Sequence, residues 1–431
     1  MAAVASIRRQ VQLCIGKTGA PVGSLVYVRQ GRRENSAFAY DEDWLANPAS
    51  FDISADLQLI AGYQSHKAAS PHDSVFHGTI ADTAPDAWGR RVIARDHAKR
   101  RKNDPGLPAL TELDYLLAVD DFSRVGALRL RDPDGTNWHR TTPGGQRSTP
   151  PLIELERVFL ASRAVERGNE TAEDLRYLQG KGTSLGGMRP KCTLVDEDGR
   201  LAIGKFPSVG DARSVTRGEV LALKLATMAG IDAAPARIVL LGEVPVAVIR
   251  RFDRDQADGR IPYQSASSLL QASREEDRSY TEIADAIRTY GHEPTQDVRQ
   301  LWRRLVFNLL ITNVDDHLQN HGFLHVAHGQ WRLAPAFDIN PFPDKDRESK
   351  TWLSEQDGPI TDVHMLLARA AYFGLNADQA LAVLAEAHAA VAKWRQVALS
   401  AEVGLRQAEL DDFAPAFEHE QFTAASALLR R

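Results

Sequence analysis

The stretch from Arg131 to Pro151 sets the first limit on the fold. It contains Arg131-Asp132-Pro133-Asp134-Gly135 and then Thr142-Pro143-Gly144-Gly145-Gln146-Arg147-Ser148-Thr149-Pro150-Pro151. Proline removes a backbone donor and fixes φ, while glycine raises the entropic cost of ordering, so a helix or strand through this region is disfavoured. The segment reads as a linker, and the chain as several bodies. Its 431 residues are enough for two or three. The expected division is 1–150, a β-rich subdomain with its linker that serves as scaffold or partner-binding module; 151–254, a sheet lobe; and 255–431, a helical lobe.

Hydrophobic periodicity supports that order. Val11, Leu13 and Ile15 alternate with Gln10, Gln12 and Cys14, the pattern of a half-buried strand. Gly23 to Val28 and Ala37 to Tyr40 continue a meander, with turns at Lys17 to Pro21 and at Gln30-Gly31. Helices are predicted near Ala84 to Arg101, Thr111 to Val119, Leu152 to Ala164 and Arg217 to Met228. Two strands, Ala236 to Leu241 and Val244 to Ile249, flank Gly242-Glu243. From Ser265 on the chain reads as mostly helical, with core-spaced Leu, Val and Ala over Thr361 to Leu367 and Ala377 to Leu399. The fold class is α+β.

Composition excludes several function classes. The chain is 43% hydrophobic and 25% charged, an ordinary globular balance. A net charge of −5 provides no global basic field for nucleic acid. The local basic run His97 to Lys102 reads as a solvated helix end, with contact to DNA phosphates as the alternative. The two cysteines, Cys14 and Cys192, form no C-x-x-C pair, which points to a reducing compartment. Without an apolar run of ~18 residues or an export signal, the expected setting is cytoplasmic, away from membranes.

Two regions carry chemistry. The first is Gly182-Thr183-Ser184-Leu185-Gly186-Gly187-Met188-Arg189-Pro190-Lys191, a glycine-rich loop that opens a hairpin ending in Gly204-Lys205-Phe206. Glycines let backbone N–H groups approach phosphate, and a strand lysine neutralises phosphate oxygens. The motif is neither G-x-G-x-x-G nor a Walker A sequence. Glu219, on the helix that follows, reads as a solvated acid, with pairing to Lys205 as the alternative. Further on, Arg250-Arg251-Phe252-Asp253-Arg254 leaves a strand where a sheet lobe passes into a helical one, a place for an adenine edge to pair with backbone.

The second region is Asn313-Val314-Asp315-Asp316-His317-Leu318-Gln319-Asn320, followed by a short hairpin and Phe337-Asp338. The D-x-x-x-x-N spacing suits phosphoryl transfer: Asp315 accepts the proton of an attacking hydroxyl, and Asn320 and Asp338 hold magnesium. Alone the spacing is common in polar turns. Another reading places zinc on His317 and His321, four residues apart, with His325 beyond, although Gly322 breaks that helical register.

Taken together, these motifs resemble the HipA family of bacterial serine/threonine kinases, the toxin halves of toxin–antitoxin pairs. The resemblance rests on Ser184 to Lys191, Ile203-Gly204-Lys205-Phe206-Pro207, Arg251-Phe252-Asp253-Arg254, Asn313 to Asn320 and Phe337-Asp338. In the amino-terminal part, Tyr40-Asp41-Glu42-Asp43-Trp44-Leu45, Pro85 to Arg90 and Gly126 to Arg129 also fit. It implies a protein-kinase-like two-lobe fold and transfer of the γ-phosphate of ATP, with Mg2+, to a protein serine or threonine. Asp315 would be the catalytic base, and Asn320 and Asp338 the metal ligands. Lys205, His317, Ser184, Gly186 and Gly187 would face the nucleotide, and the backbone of Arg250 and Phe252 would pair with adenine. Ser184 would be the autophosphorylation site.

The implied partners are a small helix-turn-helix antitoxin, operator DNA through it, and a protein substrate such as an aminoacyl-tRNA synthetase. Asp316 and Arg250 depart from the family pattern, standing where Gly and Glu are familiar, and are expected to alter local charge. The rival readings are a catalytically weak corepressor acting through antitoxin and DNA, and a zinc hydrolase.

Overall fold

Strand alternation in the first forty residues builds one sheet. β1 (Ser6–Ile15), β2 (Ala20–Gln30) and β3 (Arg33–Tyr40) form an antiparallel meander, extended by β4 (Gln64–His66) and β5 (Leu128–Arg131) in the order β4-β3-β2-β1-β5. Val11 faces Leu25, Leu25 faces Phe38 and Leu13 faces Leu130 across the ladders. These apolar positions are all buried. The computed structural model describes residues 6–139, 152–178 and 187–430. The expected linker falls largely outside them.

The chain divides into two compact units, Met1–Gly204 with Asp253–Glu275 and Ala327–Gly329, and Lys205–Phe252 with Glu276–Val326 and Gln330–Arg431. In the first unit, Trp88, Phe76 and Ile80 lie in the core with the sheet residues. The predicted helix from Ala84 begins instead at Ala87, because Asp86 caps it by accepting from the Gly89 amide at 2.7 Å. The next helix, Glu112–Ala118, opens on a Thr111–Asp114 capping box. The buried Arg124 guanidinium donates to the carbonyls of Thr83, Leu116 and Val119. Burial pushes its pKa down to about 10.

In the second unit, the strands Ala236–Leu241 and Val244–Arg250 pair as a hairpin. The helix Val215–Met228 is buried almost all round, and its Gly218 allows a close approach: a Cβ there would stand 2.7 Å from the Phe413 ring. The helix Pro294–Leu310 starts with proline in its first turn, where the missing N–H costs nothing. The strands Gly322–Ala327 and Gln330–Leu333 follow the stretch Asn313 to Asn320.

The periodic stretch Ala377 to Leu399 is not one helix. It divides into Ala377–Val391 and Trp394–Leu399. The break lets Trp394 stack on Phe417, with centroids 4.7 Å apart and planes 10° apart. Aromatic burial, rather than a Gly or Pro, ends the first helix. Among the described residues, no helix is long and apolar enough to cross a membrane.

Candidate active site

Lys205 is the last residue of the strand Leu201–Lys205. Its Nζ donates to Glu219 Oε1 at 2.5 Å and to Asp338 Oδ1 at 2.6 Å. Burial alone would lower the pKa of this ammonium, but the charges of Asp338 and Glu219 outweigh it and hold the group above its ordinary value. Glu219 is thus no solvated acid. It is 3% exposed and paired with Lys205. The signal was available: Val220, Leu221, Ala222 and Leu223 surround it, and an acid on a helix buried on all faces requires a partner.

The helix Pro294–Leu310 delivers the loop. After it, Thr312 takes φ +54°, rare for a β-branched residue, and turns the chain out of the helix. The Asn313 amide bonds the Asn308 carbonyl at 2.8 Å, and Thr312 Oγ1 donates to the Ala416 carbonyl at 3.0 Å, so the turn is fixed on both sides. The Asp315 carboxylate is 45% exposed, with Lys350 Nζ 3.4 Å from its Oδ1. Asn320, at the end of a single 3-10 turn, donates through Nδ2 to the Asp315 carbonyl at 3.2 Å. That bond uses the amide nitrogen and leaves Oδ1 as the atom a cation would take.

Asp338 also adopts a left-handed backbone, φ +54°, a conformation aspartate tolerates better than most residues. Its Oδ1 accepts from Asn340 Nδ2 at 3.3 Å besides Lys205. The Asn340 amide bonds Asn313 Oδ1 at 3.4 Å, and the Phe342 amide bonds the Thr312 carbonyl at 3.2 Å. The loop carrying Asp315 and the segment carrying Asp338 are therefore laced together.

His317 sits in the field of both acids. Burial lowers its pKa more than Asp315 and Asp338 raise it, so the ring is neutral at pH 7. Its Nδ1 is buried without a hydrogen-bond partner. Phe252 packs on Phe337, the residue before Asp338, with centroids 5.3 Å apart. The Arg250 amide is committed to the Pro235 carbonyl at 2.8 Å, so any adenine contact from Arg250 would use its carbonyl.

Asp316 places its charge inside the loop and not on its surface: the residue is 5% exposed. Its Oδ2 accepts from Tyr280 Oη at 2.7 Å, Asn308 Nδ2 at 2.7 Å and His321 Nε2 at 3.0 Å. Thr351 Oγ1 donates to its carbonyl at 2.7 Å. Burial would raise the carboxyl's pKa, but His321 and the Tyr280 hydrogen bond hold it below its ordinary value.

The zinc reading is not supported by the geometry: His317, His321 and His325 form no converging ligand group among the described residues. Among the described residues, the three His and acidic groups that converge as metal ligands are Asp56, His66 and His77.

Sequence reasoning missed Lys350, Asn340 and the Tyr280–Asn308 anchor, which are distant in sequence and carry no motif. Ser184 and Gly186 lie outside the described residues. Gly187 belongs to the first unit, with φ +95°; a Cβ there would meet Lys191 Nζ at 2.7 Å, which explains glycine at that position.

The donor set of Asn320 and Asp338, one amide and one carboxylate oxygen, fits a hard divalent cation such as magnesium. The orphaned His317 Nδ1 fits a nearby polar ligand such as a nucleotide.

Known proteins resemble this chain in sequence and in fold. Residues 15–114 match the HipA N-terminal domain and residues 183–394 match the HipA-like C-terminal domain. A Sinorhizobium fredii protein named, provisionally, as the kinase Y4mE is 27% identical over 333 residues, covering 72% of this chain and 73% of its own. A Haemophilus influenzae protein, also named provisionally as a kinase, is 26% identical over 188 residues, covering 38% of this chain and 55% of its own.

Among solved structures, the chain is similar in fold to a protein from the Shewanella oneidensis toxin–antitoxin complex of HipA, HipB and operator DNA. The TM-score is 0.67 at 16% identity, over 96% of both chains. With the HipA N-terminal domain and the HipA-like C-terminal domain both matched in order, this chain belongs to the HipA family.

Proposed function

We propose that this chain is an ATP-dependent protein serine/threonine kinase, the toxin of a toxin–antitoxin pair. The observation that carries the reading is the Lys205–Glu219–Asp338 ion cluster, laced through Asn340 and Asn313 to the Asp315 loop. A strand lysine paired with a helix glutamate, beside an aspartate placed to bind metal, is the set of groups that protein kinases use.

The substrate hydroxyl attacks the γ-phosphorus and loses its proton to Asp315. The bond from the γ-phosphorus to the β,γ-bridging oxygen breaks, and ADP departs with that oxygen. Lys205 neutralises phosphate oxygens, His317 offers a neutral ring nitrogen to the nucleotide, and the Arg250 carbonyl with the Phe252 amide frames adenine. Magnesium held by Asn320 and Asp338 would neutralise charge on the phosphates. Rate enhancement then comes from positioning and electrostatics. Ser184 is the proposed site of self-modification, adding ~2 negative charges to the loop when phosphorylated.

The similarity to the Shewanella protein supports a small helix-turn-helix antitoxin as partner, with operator DNA reached through it. The substrate would be a cytoplasmic protein, with an aminoacyl-tRNA synthetase as the first candidate.

The test is intact-protein mass spectrometry after incubation with magnesium and ATP, beside Asp315→Asn and Ser184→Ala. A phosphate-sized gain in the phosphatase-treated wild type, lost in both variants, is expected. A gain undiminished in Asp315→Asn would overturn the assigned base.

A further inference from the structure

A second cluster of chemistry-bearing side chains belongs to the first unit and shares no residue with the proposed phosphotransfer site. His66 ends β4, the edge strand of the five-stranded sheet. His77 precedes the short helix Gly78–Asp82. Asp56 lies on the loop between β3 and β4. Asp56 Oδ2 stands 2.9 Å from His77 Nδ1 and 3.4 Å from His66 Nδ1. The rings meet edge-on, with centroids 5.0 Å apart. One ligand atom from each residue lies within 4.8 Å of the other two.

The other ring nitrogens decide what this cluster can hold. His66 Nε2 is 3.1 Å from the Ser74 carbonyl oxygen, and His77 Nε2 is 3.1 Å from the Gln64 carbonyl oxygen. A carbonyl only accepts, so each Nε2 carries hydrogen. A neutral imidazole has one N–H, which leaves both Nδ1 lone pairs facing the same carboxylate oxygen.

Three acceptors share that space only if a further proton is held among them or if a cation stands there. Histidines that bind a metal characteristically donate their other N–H to a backbone carbonyl or carboxylate, as both do here. The remaining Asp56 oxygen, Oδ1, accepts from Ser54 Oγ at 2.6 Å, and the Gly78 amide stands 3.3 Å from Oδ1 and 3.4 Å from Oδ2. Donor atoms ~2.0–2.2 Å from a tetrahedral zinc stand about 3.3–3.6 Å apart, which Asp56 Oδ2 and His66 Nδ1 already match at 3.4 Å, whereas His77 Nδ1 at 2.9 Å would move outward to admit the ion.

We propose that Asp56, His66 and His77 bind a divalent transition metal of the zinc class. His77 is enclosed, whereas the side chains of His66 and Asp56 are 21% and 16% exposed. The fourth position is thus open to water. The metal would join the sheet edge, the Asp56 loop and the His77 helix start, so its binding couples to the stability of this unit.

The experiment uses the full chain, stripped by chelator, dialysed into excess magnesium and titrated with cobalt(II) as a visible probe for zinc. One tight site per chain with the intense absorption of tetrahedral cobalt, displaced by zinc, is expected. Asp338→Asn should retain it, which separates it from the phosphotransfer site.

His66→Cys should still bind and add a thiolate-to-cobalt charge-transfer band. His77→Ala should weaken binding at least tenfold and abolish the zinc-induced rise in melting temperature. No tetrahedral cobalt signal in wild type, or an unchanged spectrum in His66→Cys, would overturn the proposal and leave a doubly protonated histidine clasp. If His77→Ala fails to fold by circular dichroism, the His66→Cys spectrum decides.

Discussion

Lys205 Nζ stands 2.6 Å from Asp338 Oδ1, joining residues 133 positions apart in the sequence. Glu219 holds the same ammonium at 2.5 Å, so two carboxylates compensate one buried cation. In the proposed reaction, Asp338 would hold magnesium, and Glu219 keeps the lysine aimed. Glu219→Gln should therefore lower phosphate incorporation about 10- to 100-fold, the worth of one charge-assisted hydrogen bond. Initial rates over a range of ATP concentrations check this, and rates equal to wild type would contradict it.

Asp315 is open to solvent while its backbone is tied to Asn320 and His317. Asp315→Asn should leave ATP affinity within a few fold and reduce phosphoryl transfer by about 10²–10⁴, the range of a general base. Calorimetric ATP binding and radiolabel transfer, measured on one preparation, separate the two effects.

Asp316 offers a stability test. Asp316→Gly would remove the shared acceptor from a chain that retains Tyr280, Asn308 and His321 as donors. Leaving them unpaired should cost about 2–4 kcal/mol in urea unfolding. Tyr280→Phe, which removes one donor and spares the rest, should cost about 1 kcal/mol. A neutral Asp316→Gly would mean that the buried network is dispensable.

His419 supplies a pH dependence. It is buried, donating from Nε2 to the Leu310 carbonyl at 3.1 Å. Burial, reinforced by Arg347, pushes its pKa down to about 4. The folded state thus favours the neutral ring, and the unfolded chain binds the proton first as pH falls. This contribution is complete above about pH 6.5 and is lost as pH falls towards 4, on the order of 3 kcal/mol in all. Denaturant unfolding at pH 7 and pH 5 should show a larger loss in wild type than in His419→Gln. Parallel losses would remove His419 as the source.

Several elements were legible without coordinates because their causes are local. The alternation around Val11 and Leu13, the breaker between Leu241 and Val244, and the capping residues near Thr111 each act within a few positions, and the strands and helices form there. The division of Ala377–Leu399 was not legible, since Trp394 breaks it by stacking on Phe417, another segment's ring. Glu219 was misread for a related reason: whether a helix acid meets water or a lysine depends on what packs over it.

By itself the sequence determined the α+β class, the family motifs and the residue types spaced for phosphoryl transfer within each loop. Tertiary structure decided which of those groups meet. It joined Lys205 to Glu219 and Asp338, turned Asp316 inward, dispersed His317, His321 and His325, and gathered Asp56, His66 and His77. Propensity and periodicity act over a few residues. Charge pairing and ligand convergence depend on contacts between segments whose separation along the chain carries no signal of their distance in space.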